Sequence, residues 1–218
     1  MKLISIEGNI GCGKETFLNY IKELNPLATI FYESPELVQE KLKAYYVDPI
    51  KNAYTFQEEM IRYRIDQIKQ AFNDKCDIVY QERSPTTDLQ CFAKNWNEID
   101  IIDDVQYLQL SKLVESFLKF LRDNHIEHLS IYLQTTVDIC YKRIQKRERN
   151  GENQIKLKYL VKIHDKHEDI FNNQSQLINS DIIVVDNNSD VNEDFTKYIK
   201  MYNQIIDSNL CCMMRIFN

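Results

Sequence analysis

Glycine is concentrated in one short stretch near the start of the chain. Three of the four glycines in the 218-residue sequence are Gly8, Gly11 and Gly13, and Lys14 follows Gly13 directly. This spacing, between an apolar run and a helical pattern, predicts a phosphate-binding loop. Glycine lets backbone N–H groups converge on a phosphate, and the dipole of the following helix adds positive potential. The alternative is an ordinary turn between a strand and a helix. The predicted nucleotide contacts of this segment are Gly8, Asn9, Ile10, Gly11, Cys12, Gly13, Lys14, Glu15 and Thr16.

Glu15 departs from the usual pattern, because the position after the lysine normally supplies a hydroxyl that holds magnesium. Thr16 follows one residue later, where we expect it to point elsewhere on the helix. Magnesium prefers hard oxygen ligands and keeps several waters, so our hypothesis is that the Glu15 carboxylate reaches the metal directly or through water. The alternative is that Glu15 projects into solvent and catalysis is impaired.

Five short apolar runs predict the strands that must carry this loop. They contain enough β-branched and aliphatic residues to be buried on both faces of a parallel sheet. Segments with helical spacing separate them, and this alternation predicts a three-layer α/β sandwich around the sheet. The predicted strands are Leu3 to Glu7, Thr29 to Glu33, Asp77 to Glu82, Leu129 to Gln134, and Asp181 to Asp186.

Three helical segments have an apolar stripe. The first runs through Phe56 and Ile68, and another runs from Phe195 to Ile206. The remaining helix should be capped by Asp103 or Asp104 and end near Asn124. Its predicted buried stripe consists of Val105, Leu108, Leu113, Phe117, Phe120 and Leu121.

Composition limits the class of protein. The formal net charge of −6 argues against nucleic acid as a partner, since a polyanion requires a basic face. Six scattered cysteines favour a reducing compartment. There is no apolar run of membrane-spanning length and no room for a targeting peptide before the first predicted strand, so we expect no membrane association and a cytoplasmic location. The length and apolar content suit a single domain covering residues 1–218.

Several longer motifs carry a family resemblance. In chain order they are "GNIGCGK", "YESPE", "YVDPIKNAYTFQ", "ERS", "CYKRIQKRERNGE", "YLVKIHDKHED" and "VNEDF". Together they resemble the deoxynucleoside kinase family, of the deoxycytidine, deoxyadenosine and deoxyguanosine kinase type, from residue 2 to about residue 200. The resemblance implies a P-loop kinase fold with a five-stranded parallel sheet and a helical lid at about residues 143–153. It also implies ATP as phosphate donor, Mg²⁺, a deoxynucleoside phosphorylated at its 5′-hydroxyl, and a homodimer.

The resemblance also implies the catalytic residues. Glu33 matches the general base, Glu82 helps hold magnesium, and Arg83 contacts the 5′ side of the acceptor. The family usually has Glu-Pro where this chain has Glu33, Ser34, Pro35 and Glu36, so Glu36 is the reserve candidate for the base. A family tryptophan a few residues later is absent, so one pocket wall must be built from other residues. The lid arginines are Arg143, Arg147 and Arg149; at least Arg143, with Arg147 or Arg149, would neutralise charge on the transferring phosphoryl group, and Lys14 would bind the outer phosphates.

The remaining matched residues would bind the donor base and the acceptor. Gln57 would form hydrogen bonds with the edge of the acceptor base, and the rings of Phe56 and Phe92 would sandwich that base. Tyr46 and Glu152 would hold the sugar 3′-hydroxyl. The predicted contacts of the adenine are Glu193, Asp194 and Phe195.

Arg64 and Asp88 predict which base is accepted. Family members that accept deoxycytidine or purines carry this pair, and the chemistry agrees. An ionised Asp88 can accept from an exocyclic amino group, while Arg64 holds the carboxylate and donates to base acceptors. Thymine would leave buried polar groups unpaired, so we predict deoxyadenosine, deoxyguanosine or deoxycytidine over thymidine.

Two rival functions remain open. A nucleoside monophosphate kinase of the thymidylate kinase type shares the loop, the sheet and an arginine-rich lid, but should have extra basic residues for the acceptor's phosphate. A nucleotide-binding protein without catalysis is the rival from another class, with Glu15 repelling the metal complex.

Overall fold

The structure, a computed structural model, describes residues 1–33, 44–45, 47–147, 155–172 and 180–189. Strands and helices alternate through these ranges. The strands are β1 (Lys2–Glu7), β2 (Thr29–Phe31), β3 (Ile78–Glu82), β4 (Glu127–Gln134) and β5 (Asp181–Asp186). The helices are α1 (Lys14–Leu24), α2 (Pro49–Asn73), α3 (the consecutive pieces Pro85–Thr87, Asp88–Ala93 and Lys94–Asn97), α4 (Asp104–Asp123), α5 (Val137–Arg147) and α6 (Leu157–Phe171).

The five strands pair in parallel, in the order β2-β3-β1-β4-β5. In β1, Ile6 is paired with Glu82 of β3, and Glu7 is paired with Tyr132 of β4. The carboxyl ends of these three strands therefore reach the same edge of the sheet, which is where open α/β sheets bind their ligands. The glycine-rich loop follows β1 at that edge, so the predicted α/β fold with a five-stranded parallel sheet is confirmed.

Alternate residues of β1 face two different helical layers. Ile4 is fully buried in a cluster with Phe17 of α1. Leu3, on the other face, is fully buried in a cluster with Ile61 of α2 and Phe117 of α4. Because helices cover both faces, the strands need nearly continuous apolar sequence, as the sequence has.

The two long helices begin at local signals in the sequence. The Asp48 side chain accepts a hydrogen bond from the Lys51 amide at the start of α2, where Pro49 is the first helical residue. At the start of α4, Asp103 accepts from the Gln106 amide at 2.8 Å, and the Gln106 side chain accepts from the Asp103 amide at 3.1 Å. This reciprocal capping box selects Asp103 over Asp104 as the cap.

The buried stripe predicted for α4 is partly wrong. Val105 and Leu108 are 67% and 53% exposed, whereas Leu110 and Val114 are buried with Phe117. At 100° per residue, Val105 and Leu108 fall on the side of the helix opposite to these three. Spacing of three and four residues was thus a valid sign of a helix, but it did not define which face is buried.

Two strands have bounds that differ from the prediction by two residues, whereas β1 and β3 each differ by one residue at their start. β2 ends at Phe31, two residues early, because the backbone N–H of Glu33 donates to the Glu82 side chain rather than to a neighbouring strand. β4 begins at Glu127, two residues early, and the polar His128 is accommodated in it because its Nε2 lies 3.0 Å from the Ser5 hydroxyl. The predicted helix from Phe195 to Ile206 lies outside the described residues.

The helices of the described ranges are amphipathic layers on the sheet. Across those ranges, no helix combines the length and the apolar character needed to cross a membrane.

Candidate active site

The glycine-rich loop adopts a backbone conformation that requires glycine. Gly8, Gly11 and Gly13 have φ values of +141°, +80° and +104°. A Cβ at Gly8 would lie 2.7 Å from the Cys12 Sγ and 3.0 Å from the Leu133 carbonyl oxygen, so a side chain there would also collide with its surroundings. The predicted reason for these glycines is therefore supported at the backbone level.

Lys14 is folded back over this loop. It is 5% exposed, and its Nζ donates to the carbonyl oxygens of Gly8 at 3.4 Å and Asn9 at 3.1 Å. The same Nζ lies 3.9 Å from Oε1 of Glu82, at the end of β3. One cation thus lies between the loop and a carboxylate of the neighbouring strand.

Arg143 of α5 holds the glycine-rich loop in place through hydrogen bonds to main-chain carbonyls. Its Nη1 donates to the Cys12 carbonyl at 3.1 Å, and its Nη2 donates to the carbonyls of Asn187 at 3.3 Å and Ser189 at 2.9 Å. Asn187 Nδ2 donates to the same Cys12 oxygen at 2.6 Å. The Arg143 guanidinium, predicted to neutralise the phosphoryl group, is here engaged with three main-chain carbonyls.

Asn9 connects the loop to α6. Its side chain is 2% exposed; Nδ2 donates to the Leu160 carbonyl at 3.0 Å, and Oδ1 accepts from the Ile10 amide at 2.8 Å. The sequence pattern predicted Asn9 as a loop residue but not this bond, and it did not single out Asn187. A signal existed for Asn187, since it is a polar residue directly after a buried strand at the ligand-binding edge.

Carboxylates and arginines form a cluster at the same edge of the sheet. Arg64 of α2 donates from Nε to Oδ2 of Asp88 at 2.6 Å and from Nη2 to Oε1 of Glu33 at 3.4 Å. The other Glu33 oxygen, Oε2, lies 3.7 Å from Nε of Arg83. The backbone N–H of Glu33 donates to Oε2 of Glu82 at 3.1 Å. The structure therefore brings together the predicted base, the predicted magnesium ligand and the predicted specificity pair.

The two carboxylates bonded to Arg64 have opposite pKa shifts. Burial acts to raise the pKa of Glu33, but the positive charges of Arg64, Arg83 and Lys14 outweigh it and lower the pKa to about 2. Burial raises the pKa of Asp88 to about 6, although Arg64 acts in the opposite direction. Both carboxylates are therefore ionised at neutral pH.

Arg83 is held in an unusual backbone conformation. Its φ is +62°, in the left-handed region that residues other than glycine rarely adopt. Its amide donates to the Ile6 carbonyl at 2.9 Å, its Nη1 donates to the Gly8 carbonyl at 2.9 Å, and its guanidinium lies 4.7 Å from the centre of the Phe92 ring. These contacts join the end of β3 to the glycine-rich loop.

An aromatic wall lies beside the predicted base-binding residues. Phe56 precedes the buried Gln57 on α2 and stacks on Tyr45, with ring centres 4.7 Å apart. Tyr45 meets Trp96 edge to face at 5.9 Å, and Trp96 lies 6.1 Å from Tyr159 of α6. Tyr45, Trp96 and Tyr159 were not predicted from the sequence, because aromatic residues at helical spacing are usual in any core.

Three other predicted site residues are exposed on helices. Glu15 and Thr16 are exposed on the first turn of α1, and Arg147 is exposed at the end of α5. The residues that lie outside the described ranges are Glu36, Tyr46, Arg149, Glu152, Glu193, Asp194 and Phe195.

A parallel sheet with a glycine-rich loop between β1 and α1, and a lysine, carboxylates and arginines at one edge, defines a protein of the P-loop kinase fold. The family model described as deoxynucleoside kinase matches residues 4–211. The chain belongs to the deoxynucleoside kinase family.

Individual relatives agree with the family. A probable deoxycytidine kinase of fowlpox virus (strain NVSL) is 36% identical over 179 residues, which are 77% of this chain and 70% of the viral protein. Deoxycytidine kinase of Homo sapiens is 30% identical over 226 residues, covering 89% of this chain and 85% of the human protein. The solved structure of deoxyadenosine kinase from M. mycoides, with products dCMP and a flexible dCDP bound, is similar with a TM-score of 0.75 and 25% identity, over 95% of this chain and 100% of the other.

Proposed function

We propose that this protein transfers the γ-phosphoryl group of ATP to the 5′-hydroxyl of a deoxynucleoside, with adenine, guanine or cytosine preferred over thymine. The observation that carries the proposal is the position of Glu33. This carboxylate lies between Arg64 and Arg83, at the sheet edge where the phosphate-binding loop begins. A carboxylate that accepts a hydroxyl proton and a loop that holds a triphosphate are what phosphoryl transfer to an alcohol requires.

The donor phosphates would be bound by the loop amides, with Lys14 on the outer phosphates. Magnesium uses one or two carboxylates and completes its coordination with phosphate oxygens and waters. Glu82 suits this role, because one carboxylate oxygen lies 3.9 Å from the Lys14 Nζ beside the loop. Within the described ranges there is no group of three or more His, Cys, Asp or Glu side chains placed to enclose a metal, which fits an ion held mainly by the nucleotide. Glu82 is therefore the proposed metal ligand, with Glu15 as a second one.

The acceptor hydroxyl would be oriented by Glu33. With a pKa of about 2, Glu33 is ionised but weakly basic, because three cations surround it. Binding of the donor brings negative phosphates beside the same cations, which raises the basicity of Glu33 when it is needed. Arg83 and Arg147 would neutralise the transferring group, whereas Arg143 positions the loop through its bonds to Cys12 and to Asn187.

Base preference would depend on Asp88 and Arg64. The Asp88 carboxylate is ionised at neutral pH and can accept from an exocyclic amino group. Nη1 of Arg64 is buried and has no hydrogen-bond partner among the described residues, so a base acceptor can use it. Two of the relatives are named as deoxycytidine kinases and the structural neighbour as a deoxyadenosine kinase, which supports an amino-bearing base.

A phosphorylation screen tests this function. The four deoxynucleosides and their 5′-monophosphates are incubated with ATP and Mg²⁺, and the products are separated by chromatography. We expect 5′-monophosphates from deoxyadenosine, deoxyguanosine or deoxycytidine, and much lower kcat/KM for thymidine. Diphosphates formed only from the monophosphates would identify a nucleoside monophosphate kinase, and tight ATP binding without any product would identify a non-catalytic protein.

Two architectural proposals accompany the function. Residues 1–218 would form one kinase domain whose lid lies at about 143–153, and the chain would form a homodimer as its family implies. Light scattering coupled to size-exclusion chromatography measures the mass in solution and tests the second proposal.

A further inference from the structure

Arg64 contacts two carboxylates that the proposed function places at opposite ends of the acceptor. Its Nε atom is 2.6 Å from Asp88, assigned to the base, and its Nη2 atom is 3.4 Å from Glu33, assigned to the 5′-hydroxyl. The Arg64 side chain is 1% exposed, so its planar guanidinium is fixed by surrounding groups. A rigid guanidinium that forms hydrogen bonds with two carboxylates couples their positions, so a shift of one carboxylate displaces the other.

Glu33 depends on a small number of contacts for its own position. It lies two residues beyond β2, its amide bonds Glu82, and its side chain is 33% exposed. The cations of the described residues that face its carboxylate are Arg64 from α2, Arg83 after β3 and Lys14 from α1. Of these, Arg64 is the group with a hydrogen bond to the carboxylate, since Arg83 Nε lies at 3.7 Å.

We propose that Arg64 is a positioning residue for Glu33 as well as a contact of the base, so that base recognition and orientation of the catalytic carboxylate depend on one guanidinium. This inference rests on the proposed function. An arginine that only recognised the base would change KM and base preference when replaced. An arginine that also holds Glu33 changes kcat as well.

The experiment is designed in an Asp88→Asn background. In that background Arg64 keeps its hydrogen bond to Glu33 but loses its ion pair with residue 88, so a further change at Arg64 tests the Glu33 contact. Replacing Arg64 and Asp88 together also avoids leaving one buried charge without its partner, which favours folding. For Asp88→Asn and Arg64→Gln/Asp88→Asn, kcat and the nucleoside KM are measured at pH 8 with saturating ATP. Circular dichroism checks that both variants are folded.

In the double variant, kcat at saturating nucleoside should be roughly tenfold lower than in Asp88→Asn, because the Glu33 carboxylate is less well oriented. Loss of a base contact alone would raise KM and leave kcat at the Asp88→Asn value. Arg64→Lys in the same background keeps a cation beside Glu33 and should restore part of the lost kcat.

Arg62→Gln is the matched control on the same helix. Arg62 is exposed and pairs with Glu58, so kcat and the nucleoside KM should stay as in the unmodified protein. Equal kcat values for Asp88→Asn and the double variant would overturn the inference and leave the proposed function intact. An unmodified protein that phosphorylates no deoxynucleoside would instead overturn both.

Discussion

Arg64 and Asp88 form a buried ion pair between α2 and α3, with Nε of Arg64 2.6 Å from Oδ2 of Asp88. Their side chains are 1% and 5% exposed. The residues are 24 positions apart in sequence, so the pair exists only once the helices have packed. Its contributions to stability and to base recognition can be measured separately.

The first prediction concerns the stability of this pair. Asp88→Ala leaves the Arg64 charge buried with Glu33 as its remaining ion-pair partner among the described residues, and should lower the free energy of unfolding by about 3 kcal/mol. Glu58→Ala is the control, because it breaks the exposed Glu58–Arg62 pair on the same helix and should lower it by about 0.5 kcal/mol or less. Urea denaturation followed by circular dichroism measures both. Equal losses of unfolding free energy in the two variants would show that the buried pair contributes no more to stability than the exposed pair.

The second prediction is a pH dependence from Asp88. Its pKa is raised from 3.8 to about 6, so the folded protein takes up a proton there as the pH falls through 6. A protonated carboxyl donates where the ionised form accepts, so kcat/KM for an amino-bearing nucleoside should fall about tenfold from pH 7 to pH 5. Asp88→Asn should remove this fall in kcat/KM at low pH. A flat kcat/KM profile from pH 5 to pH 8 in the unmodified protein would contradict the assignment.

The same shift predicts the sign of a stability effect. Between about pH 4 and pH 6 the folded state binds more protons at Asp88 than the unfolded state does. The contribution of Asp88 to the free energy of unfolding therefore decreases as the pH rises through this window. Comparison with Asp88→Asn, in urea titrations at pH 4 and pH 6, isolates the contribution.

The third prediction concerns Glu33 as the general base. Glu33→Gln preserves size and hydrogen bonding to the nucleoside but cannot take a proton, so kcat should fall by roughly 10²- to 10⁴-fold. The Kd for the nucleoside, measured by calorimetry, should change little. Retained turnover would transfer the role to Glu36, and Glu36→Gln is then the variant to compare.

The fourth prediction concerns Asn9 as the brace between the loop and α6. Asn9→Ala removes the bonds to the Leu160 carbonyl and the Ile10 amide, and should lower the free energy of unfolding by about 1–2 kcal/mol. It should also raise KM for ATP, because the loop loses its support. Asn124→Ala is the control: Asn124 Nδ2 donates to the Phe120 carbonyl at 2.9 Å before β4, at the amino edge of the sheet. A control with the same rise in KM would show that the effect is not local.

The fifth prediction concerns Glu15, which follows the loop lysine at a position where a hydroxyl residue is usual. Glu15→Ser restores the hydroxyl that usually follows this lysine, and we expect the Mg²⁺ concentration for half-maximal rate to change, because the ligand set changes. Titration of Mg²⁺ at fixed ATP measures it. An unchanged metal requirement together with unchanged turnover would exclude Glu15 as a metal ligand.

The fold and the loop were predictable because their signals are local. Continuous apolar runs follow from strands that are covered on both faces, and all five predicted strands are present in the sheet. The Asp103 cap also depends on residues within one turn of each other. The exposed face of α4 was not predictable in the same way, because the side that Val105 occupies depends on which neighbour the helix meets.

The sequence by itself determined that β1 ends in a glycine-rich loop followed by Lys14, since backbone conformations with positive φ admit few residues other than glycine. Only the tertiary structure decided that Arg64 bonds both Glu33 and Asp88, and that Arg143 bonds the Cys12 carbonyl. These contacts join residues 24 to 131 positions apart, and such distances are closed by the packing of helices on the sheet rather than by any local preference of the chain.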